Sequence, residues 1–352
     1  MSTVKPLTFS IVLWLIFSAS FLLANNRRNT SNAYSKIELA YDTNVFEQRR
    51  GSTTDPNIQV WGGYAFTLQP RKGRFHLDYT GNLTLYRSCY TDDKLYQALQ
   101  TIGLWQLSQR WSLRPEFGLV WKYWLADQTG YNNLSATLAL QYQSPRLVLI
   151  FGSVNGRYDY PIRPNFDHYL TGLSVHLLRP IGPSWSASLK TQSHQIRYRH
   201  RSIFQPVDLQ TSPTIRQHDI LWHFDGGIDY RRDYIFGLHL LFISSRSNSL
   251  FSAYYSGVAR IQFAGCLGRI MIHAIGQAQM KHYREDLRSH LIYTDNPDPE
   301  QNTQNQVFLG WEYPLNRELS LTGKLISIYN ETRLSGLYYT KNWISCGLQY
   351  DF

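Results

Sequence analysis

Histidines, hydroxyls and acids are the residues of this chain that could do chemistry. His200-Arg201-Ser202 sets an imidazole two residues from a hydroxyl, the raw material of a nucleophile and its base. His218-Asp219 and Asp92-Asp93 offer an imidazole–carboxylate pair and a carboxylate pair, the raw material for activating water. Each needs convergent geometry, whereas adjacent residues on a strand point to opposite faces. His200 and Ser202 fall in a polar segment with no orienting acid beside them. His76, His176, His223, His239 and His273 are scattered over separate segments, as hydrogen-bonded wall residues would be. Cys89, Cys266 and Cys346 form neither a CxxC metal motif nor an even disulfide set. No glycine-rich phosphate loop is present. The expectation is therefore no catalytic residue, no metal, no cofactor and no enzymatic activity.

Such side chains need elements to hold them, and composition limits the choice. The chain has 352 residues, a net charge of +10, 43% hydrophobic and 17% charged residues. Its mean hydropathy of −0.35 excludes a bundle of membrane-spanning helices. Aromatics reach 15%, too many for a disordered basic tail. The one long apolar run is N-terminal: Lys5 precedes Phe9 to Phe17, and small residues lead to Ala24. This reads as a secretory signal peptide over 1–24, cut after Ala24, with a polar leader over 25–34. An exported chain without helical or aromatic RNA-binding motifs also turns the basic excess away from nucleic acid.

From residue 35 to 352 the dominant signal is period-two alternation in stretches of about ten residues, the mark of strands. Phe75, Leu77, Tyr79, Leu83 and Leu85 share one face, with His76, Asp78, Thr80, Asn82 and Thr84 on the other. Leu113, Phe117, Leu119, Trp121 and Tyr123 repeat the pattern, as do Phe236, Leu238, Leu240 and Phe242. Short turns such as 231–233 and 265–268 alternate with longer polar segments, the longest being 199–217 and 284–304. Aromatics cluster beside both, with Trp111, Trp185, Tyr234 and Tyr313 at short turns. Tyr86, Tyr123, Trp124, Tyr158, Tyr160, Tyr254, Tyr283, Tyr338 and Tyr339 sit at long loops. Together these features predict an all-β fold over 35–352. It is a transmembrane, antiparallel, up-and-down β-barrel with short periplasmic turns and long extracellular loops. The count is about sixteen strands, with fourteen to eighteen compatible. Strands are expected at 184–198 and 218–230 with a loop between them.

The chain closes on Leu348-Gln349-Tyr350-Asp351-Phe352, an alternating strand with a terminal Phe. This ending resembles that of bacterial outer-membrane β-barrel proteins. The opening Ile37 to Phe46 resembles the first strand of several such barrels. The resemblance implies residence in the bacterial outer membrane. It also implies that Tyr350 and Phe352 form a signal read by the barrel-assembly machinery.

If the apolar rows face lipid, the other rows line a lumen. The lumen-lining candidates are Lys36, Arg74, Arg114, Lys122, Arg157, Lys190, Arg260, Lys324, Glu116 and Asp225. They point to a polar, mildly electropositive interior and so to a passive porin-like pore or an export channel, open to an anionic solute or polysaccharide. The second reading is a surface binding or assembly barrel acting through 199–217 and 284–304. The third, a barrel-embedded hydrolase, would need His200 and Ser202. Expected partners are outer-membrane lipid and lipopolysaccharide.

Overall fold

The computed structural model describes residues 30–45, 52–126, 129–161, 164–204, 211–249, 252–284, 305–331 and 338–352. The expected signal peptide, the first half of the leader and residues 285–304 lie outside them. Sixteen antiparallel strands form one closed barrel in which each strand pairs with its sequence neighbours and the last pairs with the first. The first eight are β1 (Thr30–Asp42), β2 (Asp55–Leu68), β3 (Gly73–Tyr86), β4 (Lys94–Gln106), β5 (Trp111–Trp124), β6 (Thr129–Ser144), β7 (Leu147–Asp159) and β8 (His168–Pro180). The rest are β9 (Trp185–Phe204), β10 (Thr211–Arg231), β11 (Tyr234–Ser247), β12 (Tyr254–Leu267), β13 (Ile270–Tyr283), β14 (Gln306–Pro314), β15 (Leu319–Glu331) and β16 (Tyr338–Asp351). Strand β1 begins inside the expected leader.

Alternation builds the two faces of the wall. On β1, Ile37, Leu39 and Tyr41 are exposed on the outside, while Glu38, Ala40 and Asp42 are buried on the inside. The ladder carries this around the barrel, because directly paired residues share a face. Phe236 pairs with Phe263, Leu238 with Ile261, and Phe242 opposes Phe224 across β10. The outer rows thus form an apolar belt, and the fold is a transmembrane β-barrel.

The belt ends in aromatics. Trp111 packs on Tyr142 with ring centroids 5.1 Å apart. Trp185, Tyr230, Tyr234 and Phe263 form a continuous chain with successive centroids 5.0, 4.7 and 5.9 Å apart. These rings mark the interface on the short-turn side. At the loop end the outer aromatics include Tyr41, Trp121, the expected Tyr123, Tyr169, Tyr255 and Tyr329. Most aromatics expected there instead stand on inner rows, Tyr158 stacking on His168 at 4.4 Å and Tyr131 on Tyr160 at 5.6 Å. Closeness to a loop does not decide face; strand parity does.

The seven tight connections fall at 69–72, 107–110, 145–146, 181–184, 232–233, 268–269 and 315–318. Gly268 adopts φ 62°, the left-handed conformation that the two-residue hairpin demands and glycine meets without strain. In or beside every one lies an exposed cation: Arg71 and Lys72, Arg110, Arg146, Arg179, Arg231 and Arg232, Arg269, and Arg317. The opposite end is built differently. Two loops share one design, in which an aspartate seven residues on accepts the backbone N–H of a tyrosine: Asp93 from Tyr86 at 2.7 Å, and Asp167 from Tyr160 at 2.6 Å. The same two aspartates accept the next hairpin's Leu125 and Arg199 amides through their own carbonyls, both at 2.8 Å. In the first loop Cys89 packs with Val45 and Tyr86. Burial, with Asp55 beside it, pushes its thiol above the usual cysteine range.

The expected loop 199–217 is largely strand. β9 runs 20 residues and β10 runs 21, with a register shift near Arg216, so the hairpin continues past its neighbours. Outside the bilayer both faces meet water and the apolar–polar alternation disappears, which is why this stretch reads as loop.

Two adjacent leucines test the facing. Leu240, 62% exposed on the outer row, sits at mid-strand, and Leu241 faces inward. Leu240→Arg will cost roughly 2–4 kcal/mol, as a charge at the bilayer midplane does, and Leu241→Arg markedly less. Urea unfolding in lipid vesicles measures both.

Candidate functional site: the inner wall

Inner rows are set by the same parity that sets the belt. Nine of the ten expected lumen residues fall on them: Lys36, Arg74, Arg114, Glu116, Lys122, Lys190, Asp225, Arg260 and Lys324. Arg157 does not. It pairs with Leu134 on one side and Tyr169 on the other, both outward, and ion-pairs with Asp159 at 2.7 Å. On β7 the inward row is Val148, Ile150, Gly152 and Val154, while the outward row runs Leu147, Leu149, Phe151, Ser153, Asn155, Arg157 and Asp159, so both rows are apolar near the turn and the outward one becomes polar toward the loop.

Glu38, on the wall beside the β1–β16 seam, is fully buried. Lys36 from its own strand reaches one carboxylate oxygen at 2.9 Å, and Lys324 from β15 reaches the other at 2.8 Å. The Trp61 indole N–H donates to Glu38 at 2.9 Å. The Lys324 ammonium also lies over the Trp61 and Trp343 rings, at 5.3 and 5.9 Å. One step toward the loops, Lys341 pairs with buried Asp42 at 3.1 Å, and the Tyr86 hydroxyl donates to the same carboxylate. This polar girder ties β1, β2, β3, β15 and β16 together. Asp42, Trp61, Lys341 and Trp343 were not among the expected site residues; the alternating sequence around each was the available signal.

Across the barrel lies a histidine-rich band. His176 pairs with Lys190 and Lys190 with Asp225 along the ladder. His239 contacts Asp225 at 3.4 Å and Asp229 at 3.2 Å through its two ring nitrogens. His194 and His223 meet edge to face at 5.4 Å. The Arg260 guanidinium, next along, is held by the neutral Gln277 side chain at 2.9 and 2.7 Å. Arg114 pairs with Glu116 at 2.6 Å.

A packing rule flattens the large inner side chains. Glu38 pairs across the ladder with Gly347, His194 with Gly172, His239 with Gly227, and His273 with Gly310. In each case a Cβ on the glycine would collide with its partner's side chain. Glycine leaves a hollow in the wall, and the partner lies down into it rather than standing up into the lumen.

Charge on the described inner rows is nearly balanced. Lys36, Arg74, Lys94, Arg114, Lys122, Lys190, Arg231, Arg260, Lys281, Lys324 and Lys341 oppose Glu38, Asp42, Asp55, Asp78, Glu116, Asp219, Asp225, Asp229, Glu312 and Asp351. Nearly all of the chain's excess of +10 therefore resides elsewhere.

The chemistry-bearing pairs do not assemble into a reacting centre. Arg216 donates to the His200 carbonyl at 2.9 Å and to Ser202 Oγ at 3.5 Å, and the nearest acid to His200, Asp167, is 4.0 Å away. Asp92 accepts Lys94 and Trp124, and Asp93 caps a loop. His218 donates its backbone N–H to Asn248, and Asp219 accepts from Gln217. Among the described residues, no group of three or more His, Cys, Asp or Glu is placed to hold a metal ion.

This closed sixteen-stranded wall, apolar outside and polar inside, is that of bacterial outer-membrane β-barrels. No protein-family model matches the chain, and no curated protein matches it in sequence. Solved structures do resemble it in shape. One is OmpT, an outer-membrane protein of Vibrio cholerae, at 12% identity and a TM-score of 0.48, over 93% of this chain and 99% of that one. A bacterial polysaccharide outer-membrane secretin shows 9% identity and a TM-score of 0.43, over 90% and 98%. A mutant of the TodX monoaromatic hydrocarbon channel shows 10% identity and a TM-score of 0.42, over 94% and 92%. These likenesses concern architecture alone.

Removing the Glu38 carboxylate tests the girder. Glu38→Gln leaves Lys36 and Lys324 facing each other in the wall and should cost roughly 3–5 kcal/mol, as breaking a buried ion pair does. Glu38→Gln combined with Lys324→Met should recover much of the loss in the same unfolding assay.

Proposed function

We propose that the protein is a passive pore of the outer membrane. The observation that carries this reading is the way the inner wall is laid out. Sixteen strands enclose a circumference too large for side chains to fill. Glu38, His194, His239 and His273 lie against glycines instead of crossing the lumen. Paired charges on such a wall keep it wet without strongly favouring one ion sign, so the pore passes small polar solutes with weak selectivity. In this reading Tyr350 and Phe352 serve the assembly machinery, and the protein has no enzymatic role.

Planar bilayers provide the test. Purified protein should give stepwise conductance with low ion preference; a folded preparation that never conducts would sink the reading. Lys190 and Arg260, like Arg74, are wall cations with no carboxylate at ion-pair distance. Lys190→Glu with Arg260→Glu should move the reversal potential in a salt gradient toward cations, changing the permeability ratio by about two- to threefold.

A second reading is favoured by one feature, the β9–β10 hairpin. Strands of 20 and 21 residues outrun neighbours of 13 and 14, and Arg197, Arg199, Arg201 and Arg216 stand near their far end. Such an arm could engage an anionic surface ligand such as lipopolysaccharide. Shortening the hairpin by removing residues 201–214 should leave conductance intact. If surface binding by intact cells then disappears, the arm is the binding element.

A further inference from the structure

Most of the positive charge missing from the inner wall, among the described residues, stands at the short-turn end of the barrel. All seven short turns carry exposed Lys or Arg, in sum the nine residues named with the fold, against only Asp233 and Glu318. Two ligands could answer such a rim: an anionic solute at the mouth or anionic lipid around the perimeter. Position separates them. The inner rows nearest these turns carry Asp229, Glu312 and Asp351 against Arg74 and Arg231, so acids outnumber cations at the mouth itself. The outer perimeter presents the cations. Arg179 continues the outward row of Val175 and Leu177. The Arg269 guanidinium lies 6.0 Å from the centroid of Tyr313, itself on an outward row. The Trp185–Tyr230–Tyr234–Phe263 aromatic chain sits just beneath, at the depth where rings meet headgroups.

We propose that the short-turn rim is a binding collar for anionic glycerophospholipid headgroups in the surrounding leaflet. Guanidinium groups match phosphodiester oxygens in fork geometry, and a ring of turns spaced around the barrel matches a lipid annulus. Each cation adds to the attraction of a negatively charged leaflet, so selection grows with the number of occupied turns. The inference stands apart from the pore reading, since a barrel that does not conduct can still hold this annulus.

Native mass spectrometry of the full-length protein in detergent, with phosphatidylglycerol or phosphatidylcholine at equal concentration, tests it. The wild type should retain about fivefold more phosphatidylglycerol, and the preference should fall with rising salt. Combined Arg110→Gln, Arg146→Gln, Arg179→Gln, Arg269→Gln and Arg317→Gln should bring the ratio near one. Arg87→Gln with Arg246→Gln, at the loop end, should leave it unchanged. Equal retention of the two lipids by the wild type, a preference indifferent to salt, or one surviving in the turn variant overturns the proposal. So does binding of soluble dextran sulfate without a phosphatidylglycerol preference, which would return the cations to a soluble polyanion. Should the combined variant not fold, as judged by heat-dependent gel mobility, Arg146→Gln and Arg269→Gln singly, with the wild-type salt series, decide the matter.

Discussion

Hydrocarbon offers no partner to a peptide N–H or C=O, and every other feature of this chain follows from meeting that constraint. A sheet with two open edges would leave two strands of unpaired groups in lipid. Here β1 runs against β16 from Tyr34 opposite Asp351 to Asp42 opposite Trp343, and no edge remains. The seam joins strands that lie at opposite ends of the sequence, so its closure is the step with the largest loop-entropy cost. Glu38, fully buried, sits on β1 beside this seam. Its two lysines come from β1 and β15, so the ion network crosses the seam through β16. Buried ion pairs are poor sources of net stability, yet they reward only the correct partner arrangement. A slip of one residue would turn Glu38 to lipid and Leu39 to the lumen.

Closure explains what is asked of side chains on each face. Outside, alternate residues must be apolar, and they are on β10 to β12, where Phe224, Leu238, Leu240, Phe242, Ile261 and Phe263 form an unbroken surface. Inside, residues are free to be polar but must not collapse into the space the wall encloses. The glycine-opposed histidines and Glu38 satisfy both demands, since a polar ring or carboxylate lying flat meets its partners along the wall.

Legibility in sequence tracked the bilayer. Within the belt, two unlike solvents write a period-two code, and the strand count, closure and nine of the ten named lumen residues could be read from it. Beyond the belt one solvent touches both faces and the code stops. The segment 199–217 therefore looked like loop although most of it is strand. Arg157 failed for a related reason. β7 carries Leu149 and Phe151 outward and Val148, Ile150 and Val154 inward, and its outward row becomes polar at Ser153 and Asn155, so its own alternation does not choose a face and only its ladder to Leu134 and Tyr169 fixes the facing. The loop-end tyrosines were assigned by proximity to a loop, which carries no parity. The girder and the flattened histidines were illegible because both depend on cross-strand register, such as Glu38 opposite Gly347, which no single segment contains.

Total charge proved a poor guide to where charge acts. A net +10 suggested an electropositive lumen, yet the described inner rows hold nearly equal numbers of cations and acids. A field inside a narrow, low-dielectric wall is dominated by nearby charges and their partners, so a lysine beside a carboxylate contributes little a few ångströms away. What survives on the wall includes Lys190, Arg260 and Arg74, none with a carboxylate at ion-pair distance. Most of the remaining excess among the described residues stands on tight turns, where backbone demand for short polar connections and the headgroup region's tolerance of cations coincide. The same arginine that would be costly two residues deeper in the belt is stable at the turn, and it is this difference in depth, rather than any property of the lumen, that sorts the basic residues of the chain.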